Sequence, residues 1–458
     1  MKQQHYHFIG IGGIGMGALA SLLLDKGCRV SGSDLRENYV TAQLKEKGAQ
    51  VFVGHKAENV EGADYIIFSS AVKDDNPEMQ EAKKRNIPII RRAELLAGLM
   101  KDYTEITIAG AHGKTTTTSM VANLLQVAAF DPTIAVGGIV NQTKKNAQLG
   151  KSKYFVAEVD ESDGSFLNFS PDFSIITNID FEHADYYKDL AEITATYEKF
   201  ILKTKPHGVL IGCGEDPRLL ALLQKNKKKF MTYGFSKDCD VFAQNVLLGA
   251  FVCRYECYFK NKKLGEIVLN VPGEHNVLNS LACVCLGLSL DIPFDTIKES
   301  LRQFKGVQRR LELIGELDGV RVMDDYGHHP TEIVATLKAA SRFGQKRLVV
   351  AFQPHRYSRV QALFKEFSEC FALADYLIIT DIYAASEKPI DGVHSEILVE
   401  NVRQKTKKEV LYLKKDDILK HLLEIVRQGD CILTLGAGDI TQISKQLVQA
   451  LKEKPVGV

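Results

Sequence analysis

The sequence predicts an α/β protein in three domains: an N-terminal Rossmann-like unit, a central P-loop ATPase-like unit on a mainly parallel sheet, and a C-terminal Rossmann-like unit. Three observations predict it. Two glycine-rich turns, Gly10 to Gly17 and Gly110 to Gly113, each follow a strand-like run and open a helix-like one. Beyond residue 306, strand and helix patterns alternate strictly. The 458 residues also exceed one ordinary core, and length alone points to about three domains. The divisions fall at 1–102, 103–305 and 306–458.

Composition narrows the function classes. Hydrophobic residues make up 45% and charged residues 25%, a globular balance, and 58 Lys and Arg nearly cancel 57 Asp and Glu. No large field of one sign draws in nucleic acid or a membrane surface. The nine cysteines are scattered, with no Cys-x-x-Cys pair, so neither a disulfide framework nor a cysteine zinc site is expected. The apolar stretch Phe8 to Leu24 superficially resembles a secretory signal. Its Ala18-Leu19-Ala20 lies inside the apolar run, however, where a cleavage site would follow it. With no other long apolar run, the expectation is a reducing cytosol and no membrane span.

In the first unit a strand over Tyr6 to Ile9 leads into Gly10, Gly12, Gly13, Ile14, Gly15, Met16 and Gly17, a helix to Lys26, and a second strand ending near Asp34. Glycines in this pattern let a pyrophosphate approach the helix N-terminus, and an acid about twenty positions on can meet a ribose hydroxyl. NAD, FAD and other nucleotide diphosphates remain open, as does a turn used only for packing. A further strand, Asp64 to Ser70, ends in a loop suited to ligand contact.

The central unit opens with Gly110-Ala111-His112-Gly113-Lys114-Thr115-Thr116 between a strand (Glu105 to Ala109) and a helix through Leu125. Backbone N–H groups there can face an anion, Lys114 adds a mobile charge, and the Thr115 hydroxyl suits Mg²⁺. Only Ala111 and His112 separate Gly110 from Gly113, shorter than the standard loop, so an ordinary strand-to-helix turn stays open. Strands over Thr133 to Gly138, Tyr154 to Asp160 and Phe173 to Asp180 each end in polar residues, which a parallel sheet gathers on one edge. Glu158 with Asp160, Glu161 and Asp163 offers hard oxygen ligands for Mg²⁺, or else a solvated acidic turn. Period two places Glu158 and Asp160 on one face while the strand lasts. Spacing alone does not make His183 a ligand. Asp240 to Pro272 alternates as antiparallel strands, and Glu274 opens a helix through Leu290 carrying Asn276 and Asn279.

Arg309 and Arg310 stand at the joint before the third unit, as linker charge or as phosphate contacts. Strands follow over Arg321 to Asp324, Arg347 to Gln353, Tyr376 to Asp381, Glu409 to Leu413 and Cys431 to Leu435. Helices fall over Thr331 to Arg342, Ser358 to Leu373, Ser395 to Gln404, Asp416 to Arg427 and Asp439 to Lys452. Asp324, Asp325, His328 and His329 between one strand and helix fit a zinc site, an acid/base pair or a substrate loop. Arg356 and Arg359, three apart at a helix start, fit phosphate or carboxylate recognition.

Taken in order, Gly10 to Met16, Gly110 to Thr117, Glu158 to Asp163, Thr177 to Ile179 with His183, His275 to Asn279, Arg309-Arg310, Asp324 to Thr331 and Phe352 to Tyr357 resemble the Mur ligases of bacterial peptidoglycan synthesis along the whole chain. The shortened P-loop is normal in that family. The resemblance implies ATP-dependent, ADP-forming ligation of L-alanine to the lactyl carboxylate of UDP-N-acetylmuramate through an acyl phosphate. The implied cofactors are ATP and Mg²⁺.

By the same resemblance, Gly12, Gly13, Ile14, Gly15 and Met16 hold the UDP-sugar pyrophosphate, with Ser69, Ser70, Arg91 and Arg92 nearby, and Asp34 need not be a ribose ligand. Lys114 stabilises the transferring phosphoryl group, Thr115 and Glu158 hold one Mg²⁺, and His183 a second. Gly110, His112, Gly113 and Thr116 complete the ATP loop; Asn276 and Asn279 read the adenine. Arg309 or Arg310 meets a phosphate, while Asp325, His328, Arg356 and Arg359 close the nucleotide and substrate sites. Lys199 lies where related ligases carry a carbamylated lysine, which this subgroup does not need. A monomer or homodimer is expected. Rival readings are the ligase that recycles a tripeptide onto the same UDP-sugar, an NAD-dependent oxidoreductase and a non-catalytic nucleotide sensor.

Overall fold

The computed structural model describes residues 3–69, 72–139, 141, 145–184, 186–385 and 387–453. Three sheets carry the architecture. The first has five parallel strands in the order Gln50–Val53, Arg29–Asp34, His5–Ile9, Tyr65–Phe68, Ile89–Arg91. Order reverses about the central His5–Ile9 strand, and a crevice for ligands forms beyond the carboxyl ends at such a switch point. The apolar stretch Phe8 to Leu24 is thus the end of a central strand, a glycine turn, and most of helix Ile14–Asp25.

The second sheet has ten strands. Phe230–Gly234, Val209–Cys213, Phe173–Ile176, Thr104–Ala109, Tyr154–Glu158 and Thr133–Ala135 run parallel in that order. At one edge Val241–Leu248, Cys253–Phe259 and Lys262–Leu269 form the expected antiparallel meander. Its strands alternate buried and exposed residues, as a sheet with one solvated face must. Helices Lys114–Val127 and Glu274–Ser289 lie side by side and are buried along nearly their whole length. The apolar core is continuous from the first sheet into the second: Phe8, Leu22, Leu95 and Met100 belong to the same packed cluster as Ile106, Phe155 and Leu281.

The third sheet runs Glu312–Leu317, Val320–Asp325, Asp430–Leu435, Arg347–Phe352, Tyr376–Ile379, Val410–Tyr412. All are parallel except the first, an antiparallel edge strand that the alternation pattern did not predict. Two separate apolar clusters cover its two faces.

Several predicted elements end early, and the shortfall falls at the carboxyl edge of the second sheet. Strands expected to reach Gly138, Asp160 and Asp180 stop at Ala135, Glu158 and Ile176. Their polar tails leave the ladder and fold over the P-loop. Asp160 therefore owes its position to a loop and not to strand periodicity, although the Val159 N–H still donates to the Ile108 carbonyl at 3.0 Å. The helix expected over Ser358 to Leu373 is two short helices, Tyr357–Ala362 and Phe364–Glu369, broken at Leu363.

Candidate active site

The P-loop is braced from behind. Thr177 Oγ1 donates to the His112 carbonyl at 2.6 Å, and the Asn178 side chain both accepts from the His112 N–H (2.9 Å) and donates to its carbonyl (3.0 Å). Gly110 and Gly113 adopt φ of +131° and +84°, a region other residues avoid. A Cβ on Gly110 would sit 2.0 Å from Thr177 Oγ1, and one on Gly113 2.6 Å from Asn279 Oδ1. Both glycines are demanded by close approach, and the second leaves Asn279 next to the loop. Helix Lys114–Val127 begins here, with its N-terminal N–H groups and positive dipole end at the turn.

Four acids and an imidazole surround Lys114. Its ammonium donates to both Glu161 oxygens at 2.8 and 2.9 Å and to the Gly110 carbonyl at 2.6 Å. Burial disfavours the charge, but Glu161, Asp160, Glu158 and Glu182 outweigh it and hold the lysine more firmly protonated than a free one. Glu158 accepts from Thr115 Oγ1 at 3.1 Å and from the Gly137 N–H at 3.0 Å. Burial raises its pKa, so a nearby cation is what would favour its ionised form. His183 sits in the left-handed region (φ +57°) with Nε2 3.6 Å from Glu161 Oε1, and donor atoms of Asp160, Glu161 and His183 lie within 4.8 Å of one another. Hydroxyl and carboxylate oxygens of this kind fit Mg²⁺ and are poor ligands for a soft metal.

Beside the loop opens a cavity of about 400 Å³, lined on the central side by His112, Thr116, Asp216, Tyr233, Asn276 and Asn279. Arg310, Asp325, Thr331 and Glu332 form its other wall. The two units meet around it. Glu182, 6% exposed, accepts from Arg359 Nη2 at 3.0 Å and faces His328 Nε2 at 3.3 Å. Burial opposes its charge, but His328 and Arg359 prevail and hold the carboxyl well below the usual range. Asp325 accepts from the Leu311 N–H, the Gly327 N–H and Thr336 Oγ1, yet burial dominates and lifts its pKa to about 6.

His112 illustrates the field in this cleft. Burial alone would strip its proton, but Asp180 at 2.9 Å and Glu332 at 3.5 Å reverse the outcome and raise its pKa to about 10. Because the folded value exceeds the unfolded one of about 6.5, the resulting stabilisation is complete below about pH 6.5 and is lost between there and about pH 10. Histidine-resolved NMR titration of the ligand-free protein should show the His112 ring protonated at pH 8. A midpoint near 6.5 would contradict this arrangement.

The remaining predicted residues divide. Arg310 lines the cavity, whereas Arg309 turns to Asp324 (3.2 Å) and the Gly436 carbonyl (2.6 Å). Arg356 and Arg359 border a small crevice with Glu182 and His183. Around the first glycine turn, the Gly12 N–H donates to Asp34 Oδ2 at 2.9 Å, which engages that carboxylate with the loop itself. Arg92 reaches Gly15, where a Cβ would lie 3.1 Å from its Nη1, and it contributes to lowering the Asp160 pKa. The Arg91 backbone caps its helix through Glu94. Met16 is buried, 3% exposed. Ser69 is described; Ser70 lies outside the described residues. A contact from the second unit, Asn146 Nδ2 to the Ile14 carbonyl at 2.7 Å, ties the first glycine turn to the central unit.

Sequence reading missed Glu161 as the partner of Lys114, Glu182 as the link between units, and the segment from Cys213 to Arg218. The last had a detectable signal. An apolar strand followed by Asp216-Pro217 marks a helix start at the same sheet edge, and Asp216 caps that helix while accepting from the Ile179 N–H at 2.6 Å.

Three family models match in chain order: the Mur ligase family catalytic domain over residues 5–104, the Mur ligase middle domain over 108–287, and the Mur ligase glutamate ligase domain over 309–438. The UDP-N-acetylmuramate--L-alanine ligase of Trichlorobacter lovleyi is 51% identical over 97% of this chain and 98% of its own. Among solved structures, the UDP-N-acetylmuramate-alanine ligase of Thermotoga maritima superposes with a TM-score of 0.83 at 31% identity, covering 98% of this chain and 100% of that one. A murein peptide ligase from Psychrobacter arcticus shares the fold with a TM-score of 0.75 at 23% identity, covering 99% and 100%.

Proposed function

From the premise that this chain belongs to the Mur ligase family, we propose that it joins L-alanine to the lactyl carboxylate of UDP-N-acetylmuramate at the expense of ATP, in the cytoplasm, as a step of peptidoglycan precursor synthesis. The observation that carries this reading is the convergence of Lys114, Thr115, Glu158 and His183 around one acidic cluster, on the loop whose His112, Gly113 and Thr116 line a cavity with Arg310 and Asp325 of the third unit on its far wall. Near-full-length identity to alanine-adding ligases supports the choice of substrates over the tripeptide-recycling alternative.

A carboxylate resists attack by an amine because oxide would have to leave; transfer of a phosphoryl group from ATP supplies a better leaving group, by way of an acyl phosphate. Phosphoryl transfer is mainly a problem of position and charge. In our reading Gly110, His112, Gly113 and Thr116 cradle the nucleotide phosphates, Lys114 meets the charge that develops on the transferring group, and Arg310 faces a phosphate from the opposite wall. Asn276 and Asn279 take the adenine end, and Asp325 keeps the closing loop in register. Thr115 and Glu158 would hold one Mg²⁺, with His183 turned toward a second, and the ions would supply charge neutralisation between phosphate and substrate oxygens.

The first unit, 1–102, takes the UDP-sugar on Gly12 to Met16 with Ser69, Ser70, Arg91 and Arg92; the second, 103–305, takes ATP; the third, 306–458, brings His328, Arg356 and Arg359 to the amino acid. Arg359 Nε is buried without a hydrogen-bond partner, a donor that an incoming carboxylate can satisfy. A dinucleotide oxidoreductase would leave the Lys114 and Glu158 cluster without a role. Among the described residues no helix is long and apolar enough to cross a membrane.

The test is ADP formation from ATP with UDP-N-acetylmuramate and a panel of amino acids and peptides, with product mass determined. The expected result is phosphate release that needs both substrates, is strongest with L-alanine, and yields UDP-N-acetylmuramoyl-alanine. Turnover with the tripeptide and none with L-alanine would overturn it.

A further inference from the structure

His112, Asp180 and His329 come from three separate segments: the P-loop, the loop after Phe173–Ile176, and the residue that caps helix Pro330–Ala340 in the third unit. His112 Nε2 lies 2.9 Å and His329 Nδ1 3.7 Å from the same Asp180 oxygen, and one donor atom from each residue falls within 4.8 Å of the others. Ligands on a tetrahedral zinc ion stand about 3.3 Å apart for bonds of about 2.0 Å, a spacing these distances bracket.

What makes this more than a cluster is the shell behind it. Histidine ligands usually direct their other ring nitrogen to a carboxylate or backbone carbonyl, which fixes tautomer and orientation. His329 does so: its Nε2 meets the Phe181 carbonyl at 3.2 Å, so Nδ1 carries the lone pair, which accepts the Thr331 N–H at 3.3 Å as the helix cap, a long bond that a bound ion would replace. His112 differs: its Nδ1 is buried 3.5 Å from Glu332 Oε1 without a hydrogen bond, so there the carboxylate acts through its charge alone. Asp180 Oδ1 is held by the Phe181 N–H at 2.8 Å, so its other oxygen is turned to the histidines, where it also accepts from Thr331 Oγ1 at 2.8 Å. Asp180 and Glu332 set a negative local field, opposed only in part by Arg310 at 3.6 Å from Glu332.

We propose that His112, Asp180 and His329 form a binding site for a borderline divalent cation of the Zn²⁺ or Co²⁺ class, separate from the oxygen-rich Mg²⁺ donors at Thr115 and Glu158. Two imidazoles and one carboxylate select such ions over Mg²⁺. The ion takes the place of the proton on His112 Nε2, which leaves to solvent. Because its ligands come from both walls of the cleft, the bound ion pins the P-loop to the third unit.

The test is titration of the full-length, nucleotide-free protein with Co²⁺ in excess Mg²⁺, read by ligand-field absorption, followed by displacement with Zn²⁺. His329→Asn is the informative variant, because asparagine keeps the helix cap while removing the imidazole; Asp180→Asn is the second, and thermal melting checks the fold of each. The expected result is one Co²⁺ per chain with the intense bands of a four- or five-coordinate ion, bleached by Zn²⁺, and at least tenfold weaker binding in each folded variant. Weak octahedral absorption in the wild type, or unchanged affinity in the variants, would overturn the proposal; the wild-type result alone suffices for the first of these.

Discussion

Lys114→Ala is expected to abolish ATP-dependent ligation while the three sheets still form. Removing one preorganised donor from a transition state costs about 2.7–4 kcal/mol, roughly 10²–10³-fold in rate. Lys114 carries a full charge, so its loss should lie at or beyond the upper end. A confounding effect is built into the site, because the same substitution strands Glu161, 2% exposed, without the ammonium it holds at 2.8 Å. An unpaired buried carboxylate destabilises the fold by itself. The double variant Lys114→Ala with Glu161→Gln separates the two contributions: melting temperature should recover toward wild type while phosphate release stays at background. Near-normal turnover in either variant would remove Lys114 from the chemistry.

The Lys114–Glu161 contact also explains why this site was only half legible in the sequence. A glycine turn between a strand and a helix is visible in local spacing, and Gly110 to Gly113 form one between strand Thr104–Ala109 and helix Lys114–Val127. The partner of Lys114 lies 47 positions away on a loop without periodicity, and no local pattern distinguishes Glu161 from Glu158, Asp160 or Asp163. The same limit applies to the strand ends. Apolar runs predicted the strands, but where each leaves the ladder is decided by what its polar tail bonds to, as Thr177 and Asn178 do with the P-loop. Alternation likewise predicted the third sheet but missed its edge strand Glu312–Leu317, whose half-exposed residues carry little hydrophobic signal.

Glu182→Ala is the second large effect. This carboxylate joins Arg359 and His328 of the third unit to the loop that carries His183, in a contact almost closed to solvent. Deleting one partner of a buried pair costs about 3–5 kcal/mol, because the other charge is left uncompensated. Here that charge is Arg359, 8% exposed. The cost falls on the approach of the third unit to the central one, so the expected kinetic signature is a KM for the amino acid raised by roughly tenfold or more together with a lower kcat, as for residues that govern closure. Glu182→Gln, which keeps an acceptor but no charge, should fall between wild type and Glu182→Ala. Unchanged steady-state kinetics in Glu182→Ala would show that the contact between units does not contribute to turnover.

In the proposed site Lys114, Thr115, Glu158 and His183 serve one nucleotide whose adenine end reaches Asn276 and Asn279 and whose far side meets Arg310. A crystal structure of the full chain with Mn²⁺ and a non-hydrolysable ATP analogue, using the anomalous signal of the metal, measures this directly. The expected result is a Mn²⁺ peak bonded to Thr115 Oγ1 and a Glu158 oxygen, with Lys114 released from Glu161 and turned to the terminal phosphate. A nucleotide anchored outside this cavity, with Lys114 still paired to Glu161, would contradict it.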